Sequence, residues 1–198
     1  MKKSIFTVLL GASLIALISG CSQQKEEVAA SDINVGIILG FTGPIESLTP
    51  TMASSAEMAF KEATDAGVLN GSTLNPVRAD STCIDAAAAT SAAERLVTAD
   101  NVAAIMGADC SGVTTAIANN VAVPNGVTII SPSATSPALT TIEDKGFFFR
   151  TAPSDARQGQ VLAQVVMDRG IKKLAVTYTN NDYGKGLSDS FVGAFKSM

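Results

Sequence analysis

The feature that most constrains the fold of this chain is an alternation, from Ile33 onwards, of short apolar runs with longer amphipathic segments. The amphipathic segments carry apolar residues at three- and four-residue steps, which is typical of helices with one buried face. The apolar runs have the length of buried strands. They occupy residues 33–40, 77–79, 102–106, 127–130 and 147–150. Strands alternating with helices predict an α/β fold with a doubly wound parallel sheet.

The pattern changes at residues 151–154, where we expect the chain to leave this sheet for a second lobe. A helix, a strand at residues 173–178 and a last helix beginning near Lys185 are predicted to follow. One strand and two helices are too few to bury a core of their own. We therefore expect a first lobe at residues 33–152 and the start of a second α/β lobe at residues 153–198 of a longer protein.

The first 20 residues have the pattern of an export signal. Two lysines precede an apolar stretch, residues 5–18, that is too short for a membrane-spanning helix. The stretch runs into LISGC, which resembles the lipobox of bacterial lipoproteins, in which the cysteine is acylated. We expect a signal peptide at residues 1–20, a lipid anchor on Cys21 and a flexible tether at residues 21–32. A plain signal peptide beside a chance cysteine is the alternative, and both predict export.

Composition argues against several classes of function. The net charge is −4 and the basic residues beyond the N-terminus are scattered, so no basic face is predicted to bind nucleic acid. The chain contains no His, which removes the commonest metal ligand and the commonest acid–base catalyst. Two loop cysteines without His do not supply the four ligands of a structural zinc. We expect no metal, no cofactor and no catalytic residue.

Two loops of small polar residues follow predicted strands, and open α/β sheets bind ligands beyond the carboxyl ends of their strands. GADCSG opens a predicted helix whose free N–H groups favour an anion, and Ser111 in this loop suits a carboxylate. In SPSATSP the Ser133 carbonyl is an acceptor and the Thr135 hydroxyl can donate or accept. Together the loops offer partners for a zwitterion. Simple helix caps are the alternative for the same residues.

The loop cysteines are Cys83 and Cys110, 27 positions apart, and each follows a predicted strand at the same end of the sheet. In an exported protein we expect a disulfide between them, with a free buried pair as the alternative. The bond would make the loop beside Ser111 rigid.

Six separated motifs occur in order between Ile33 and the end of the chain. They are GFTGP, ADSTCID, IMGADCSG, IISPSATSPALT, FFFRTAPSDARQG and NDYGKG. This order resembles the leucine/isoleucine/valine-binding protein family, the type I periplasmic binding proteins of ABC transporters. The resemblance implies two α/β lobes joined by a hinge, which close on an amino acid that is then delivered to a permease in the inner membrane.

The resemblance also implies roles for individual residues. Ser111 would bind the ligand carboxylate, while the next loop would supply the Ser133 carbonyl and the Thr135 hydroxyl. Tyr183 matches an aromatic position on the second-lobe side of the cleft, with an ordinary turn aromatic as the alternative. Cys83 and Cys110 match the family disulfide. The ligand-binding candidates are Cys110, Ser111, Ser133, Ala134, Thr135 and Tyr183.

Two features depart from the family pattern. Some members carry an aromatic residue over the ligand in the first loop, where this chain has Leu48 or a neighbour. The acidic partner expected for the ligand ammonium belongs to second-lobe sequence beyond residue 198.

The expected function is an exported, lipid-anchored solute-binding protein that captures an amino acid. A ligand-sensing receptor domain or amide/urea sensor is the alternative, and an α/β enzyme is a second one.

Overall fold

The computed structural model describes residues 30–198. The predicted signal peptide, the lipidation site Cys21 and nearly all of the tether lie outside the described residues, so these predictions stay predictions.

Five strands and five α-helices make up the described part of the chain. The strands are β1 (Asp32–Leu39), β2 (Thr73–Asp80), β3 (Ala104–Gly107), β4 (Thr128–Ser131) and β5 (Phe148–Arg150). The helices are α1 (Thr49–Asp65), α2 (Ala86–Thr98), α3 (Ser111–Ile117), α4 (Asp155–Asp168) and α5 (Asp182–Ser197). A π-helical turn, Ala118–Ala122, continues α3, and a 3₁₀ turn, Pro137–Thr140, follows β4.

The strands form one parallel sheet in the order β2-β1-β3-β4-β5. β1 is buried on both faces, because Ile38 belongs to the core cluster on one face while Ile37 and Leu39 belong to the cluster on the other. Burial on both faces explains why β1 is a continuous apolar run rather than an alternating one. The predicted α/β class with a parallel sheet is confirmed.

The start of α2 agrees with its sequence signal. The carboxylate of Asp85 accepts hydrogen bonds of 2.9 Å from the backbone N–H groups of Ala87 and Ala88, which otherwise lack partners at a helix start. Ala89 and Ala93 are fully buried. Their small side chains let α2 lie close to the sheet.

The strand predicted at residues 173–178 is wrong. This segment has no strand structure, and Leu174 and Tyr178 are exposed. A strand is stabilised by hydrogen bonds to a neighbouring strand, and none of the strands in residues 30–198 pairs with this segment. Its apolar pattern therefore has no sheet to join in the described part of the chain.

The starts of two elements differ by three or four residues from those expected. β2 begins at Thr73 because it pairs with β1 along its whole length; it contains Pro76, which an edge strand tolerates. α5 begins at Asp182 rather than near Lys185, because the side chain of Asn181 accepts a hydrogen bond of 2.8 Å from the N–H of Gly184.

Among the described helices none has the length and apolar character needed to cross a membrane.

Candidate functional site

A buried carboxylate joins the loops at the carboxyl ends of the first three strands. Asp109, 4% exposed, accepts hydrogen bonds from the backbone N–H of Gly40 at 2.7 Å and of Cys110 at 2.8 Å. The Ser81 hydroxyl donates a longer one, 3.4 Å. These bonds fix the backbone that leads into Ser111. Sequence reasoning missed Asp109, because Gly40 is 69 positions away.

The predicted disulfide between Cys83 and Cys110 is present, with Cα atoms 5.2 Å apart. Since β1 lies between β2 and β3, the bond crosses the end of β1 beside Gly40. A Cβ atom on Gly40 would lie 3.2 Å from that of Cys83, tighter than ordinary contact. The missing side chain of Gly40 gives the disulfide its room.

Ser111 is the first residue of α3 and is 2% exposed. It is not a helix cap, because the N-cap residue is Cys110 and makes no capping bond with its side chain. Instead, the Ser111 Oγ accepts a hydrogen bond of 3.1 Å from the N–H of Ser136. An amide can only donate in this pair, so the Ser111 hydroxyl proton is left for another acceptor. Within residues 30–198 no acceptor for it is recorded.

The loop after β4 is fastened to the loop after β3. The Ser133 hydroxyl donates to the Asp109 carbonyl at 3.0 Å. The N–H of Ala134, which is fully buried, donates to the Ser131 Oγ at 3.0 Å, and the Ser131 hydroxyl donates to the Ala108 carbonyl. The structure thus brings Ser133 and Ala134 beside the loop that contains Cys110 and Ser111.

Arg150, at the end of β5, holds the same loop from the other side. Its guanidinium donates to the carbonyls of Ala134 at 3.3 Å and Ser136 at 2.8 Å, and to the Thr140 hydroxyl at 2.6 Å. Arg150 belongs to the FFFR motif, but sequence reasoning assigned it no role. The planar guanidinium carries five N–H donors, so one arginine can bind several oxygen atoms of one loop.

Thr135 is tied to the first turn of α4. Its hydroxyl donates to Asp155 Oδ2 at 2.8 Å, and its carbonyl accepts the Asp155 N–H at 2.9 Å. Asp155 is 1% exposed. Thr135 is therefore not a helix cap but one side of a two-bond link, and sequence reasoning did not find Asp155.

Tyr183 lies in the first turn of α5 and is 43% exposed. The N-terminal part of α5 lies close to the two loops: a Cβ atom on Gly112 would be 3.6 Å from Asp182 Oδ2, and one on Gly186 would be 2.8 Å from Pro137 Cδ. No hydrogen bond of the Tyr183 hydroxyl to the candidate residues is recorded in the part of the chain that the structure describes. Leu48, directly before α1, is exposed.

The loops after β1 and β2 are joined by Asp80. Its carboxylate accepts from the Thr42 hydroxyl at 2.6 Å and from the Thr82 N–H at 2.8 Å. Burial acts to raise the pKa of Asp80, but the hydrogen bonds from the Thr42 hydroxyl and from the backbone N–H groups of Thr82, Thr42 and Phe41 outweigh it, so the pKa lies below its ordinary value. The first two loops are thus fixed independently of the disulfide.

Two grooves lie elsewhere. One of about 790 Å³ runs between α4 and α5, and one of about 430 Å³ lies between residues 172–176 and α5. Neither is lined by the candidate ligand-binding residues. Across residues 30–198 there is also no group of three His, Cys, Asp or Glu side chains arranged to hold a metal ion.

An open parallel sheet with fixed polar loops at the carboxyl ends of its strands is the architecture of a ligand-binding α/β domain. Residues 32–198 match the family model described as periplasmic binding protein, and the chain belongs to this family.

Three relatives give the match more detail. The Leu/Ile/Val-binding protein homolog 1 of Brucella melitensis is 35% identical over 192 residues, 96% of this chain and 48% of the relative. A crystal structure of the leucine binding protein LivK from Thermotoga maritima superposes with a TM-score of 0.73 at 27% identity, over 83% of this chain and 46% of that one. The branched-chain amino acid transporter substrate binding protein LivJ from Streptococcus pneumoniae, in complex with isoleucine, gives 0.74 at 30%, over 83% and 47%.

The chain spans about half the length of the curated relatives it matches. The predicted family and the periplasmic-binding-protein type I fold are confirmed by these matches. By their names, these relatives are binding proteins for leucine, isoleucine or valine.

Proposed function

We propose that this protein is an exported substrate-binding protein of an ABC transporter that captures an amino acid between two lobes and delivers it to a permease in the inner membrane. The observation that carries the proposal is the Ser111 hydroxyl. It accepts from the Ser136 N–H and keeps its own proton for a further acceptor, which is what a ligand carboxylate requires.

The surrounding loops support this function. Asp109, Arg150 and the disulfide hold the backbone around Ser111, Ser133 and Thr135 in fixed positions. A site whose groups are already ordered loses little conformational entropy when a small ligand binds. Relatives that bind leucine or isoleucine by their descriptions favour a branched-chain amino acid as the ligand.

The proposal also covers the division into lobes and the N-terminal residues. Residues 33–152 form the first lobe and residues 153–198 begin the second, which supplies Tyr183 and, further along, an acidic partner for the ligand ammonium. Residues 1–20 act as a signal peptide, and Cys21 carries the lipid that attaches residues 21–32 to the membrane. Closure of the two lobes buries the ligand, and no reaction takes place.

The first experiment is a thermal-shift screen of the full-length protein against amino acids, amides and urea, followed by calorimetry with the compounds that stabilise it. Stabilisation by an amino acid is the expected result. Stabilisation by amides or urea alone would favour a sensor instead, and turnover of a compound would favour an enzyme.

The second experiment tests Ser111 directly. Ser111→Ala should weaken amino acid binding about 10- to 100-fold, since it removes a hydrogen bond to a charged group. Ser54→Ala is the matched control, because Ser54 is exposed on α1 and bonds only its own helix. Full affinity of Ser111→Ala would contradict the assignment of the carboxylate site.

A third experiment compares lengths. Since the ligand contacts are divided between two lobes, the 198-residue chain should bind weakly or not at all where the full-length protein binds. Equal affinity in calorimetry would show that residues 1–198 bind the ligand without the rest of the second lobe.

A further inference from the structure

We propose that Asp155 is a positioning residue that makes the site selective for ligands carrying a protonated amine. Its carboxylate accepts the proton of the Thr135 hydroxyl, so the oxygen of this hydroxyl can only accept a hydrogen bond from the ligand. The inference rests on the proposed function, amino acid binding at Ser111 and Thr135. It adds a residue, and a reason for selectivity, to that site.

The geometry leaves the Thr135 hydroxyl one arrangement. Its Oγ1 lies 2.8 Å from Asp155 Oδ2, and the backbone N–H of Asp155 returns a bond of 2.9 Å to the Thr135 carbonyl. Asp155 is 1% exposed, so water does not compete for its carboxylate. Two bonds between the same pair of residues prevent the threonine from turning away.

The chemistry of the pair sets the direction of the hydrogen bond. An ionised carboxylate accepts and cannot donate, so the single proton of the Thr135 hydroxyl points to Asp155. The guanidinium of Arg150 holds the carbonyls of Ala134 and Ser136, on either side of Thr135, and so restrains the backbone of this loop. What Thr135 still offers a ligand is its lone pairs.

The Ser111 hydroxyl is available in the opposite role to that of Thr135, as a hydrogen-bond donor. Its oxygen is occupied by the Ser136 N–H and its proton is free to donate. The two hydroxyls therefore present one donor and one acceptor, and their directions are set by Ser136 and Asp155. An amino acid zwitterion has an anion for the donor and an N–H⁺ group for the acceptor. A carboxylic acid without the amine satisfies only Ser111.

Asp155→Asn is the informative variant, because it keeps the size of the side chain and adds an NH₂ group that can donate to Thr135. Once the amide donates, the threonine proton is no longer fixed, and the acceptor directed at the ligand is lost. Thr135→Val is the second variant; it removes the hydroxyl and leaves the carboxylate in place.

The experiment measures, by calorimetry on the full-length protein, binding of L-leucine and of 4-methylpentanoate, the same molecule without its amine. If another amino acid binds more tightly in the screen, that amino acid and its amine-free acid replace this pair. The wild-type protein should prefer the amino acid. Asp155→Asn and Thr135→Val should each weaken amino acid binding about tenfold or more and change binding of the amine-free acid by less than about threefold.

Asp168→Asn is the control, because Asp168 is exposed at the other end of α4 and bonds only Gln164. It should change neither affinity. Equal losses for both ligands in Asp155→Asn or Thr135→Val would show a merely structural role and overturn the inference, as would a wild-type protein that binds the two ligands equally. A wild-type protein that binds no amino acid would instead overturn the proposed function. If Asp155→Asn does not fold, the result with Thr135→Val decides.

Discussion

The backbone N–H of Gly40 donates a hydrogen bond of 2.7 Å to the buried carboxylate of Asp109 and so joins the ends of β1 and β3. The same carboxylate accepts from the Cys110 N–H, directly before Ser111. One side chain therefore satisfies two backbone groups that water reaches poorly. The position of Ser111, the proposed hydrogen-bond donor to the ligand carboxylate, depends on Asp109.

Asp109→Ala should lower the free energy of unfolding by about 2–4 kcal/mol, because it leaves buried N–H groups without acceptors. Chemical denaturation measures the change. The control is Asp189→Ala, which removes only an exposed ion pair with Lys185 and should cost at most about 0.5 kcal/mol. A loss for Asp109→Ala as small as that of the control would contradict the role given to this carboxylate.

Gly107→Ala should be among the most damaging substitutions in the lobe. Gly107 has a φ of +133°, and a Cβ atom there would lie 2.0 Å from the Ile38 carbonyl oxygen. We expect a loss of at least about 3 kcal/mol, or no folded protein. Gly193→Ala in α5 is the matched control: it has no neighbour within 4 Å of the added atom and should be neutral or stabilise by about 0.5–1 kcal/mol. Similar stability of the two variants would refute this prediction.

Reduction of the disulfide between Cys83 and Cys110 should lower the free energy of unfolding by about 2–4 kcal/mol. Denaturation with and without a reducing agent measures it. The double variant Cys83→Ser, Cys110→Ser should unfold identically in both conditions. A reducing agent that leaves the wild-type curve unchanged would show that the bond contributes no stability.

The contribution of Asp80 to stability should depend on pH. Its pKa in the folded state lies below the ordinary 3.8, so its contribution is present above that value and is lost as the pH falls through the lower, folded-state pKa. Asp80→Asn should therefore be less stable than the wild-type protein at pH 7, and the difference should shrink below about pH 4. Denaturation curves at several pH values test this. A difference that stays constant down to pH 2 would rule the mechanism out.

Much of the fold is predictable because its signals are local. Asp85 caps α2 through amides two and three residues away, and Ala89 shows by its spacing that it faces the core. The segment at residues 173–178 has a local signal just as clear, but a strand also needs a neighbour. That requirement is met by residues distant in the sequence, so the local pattern alone gave the wrong structure there.

The site divides in the same way. Ser111 and Thr135 could be proposed as ligand-binding residues because they lie in recognisable motifs. The hydrogen bonds of Asp109, Arg150 and Asp155 to these loops were missed, because each joins residues that only the folded sheet brings near; Thr135 and Asp155, for example, are 20 positions apart. Nothing in the spacing of an aspartate reveals which distant amide or hydroxyl it will meet.

The strand order has a consequence for how the protein is made. β1 is synthesised first but lies inside the sheet, and its second edge is covered only when β3 appears, with Val35 opposite Ala104. Such long-range pairing is slow to form. The loops that would hold a ligand acquire their shape only after most of the lobe has been synthesised and assembled. Ligand binding by a refolding full-length chain would therefore require completion of the whole sheet, in addition to the second lobe, rather than formation of any one segment.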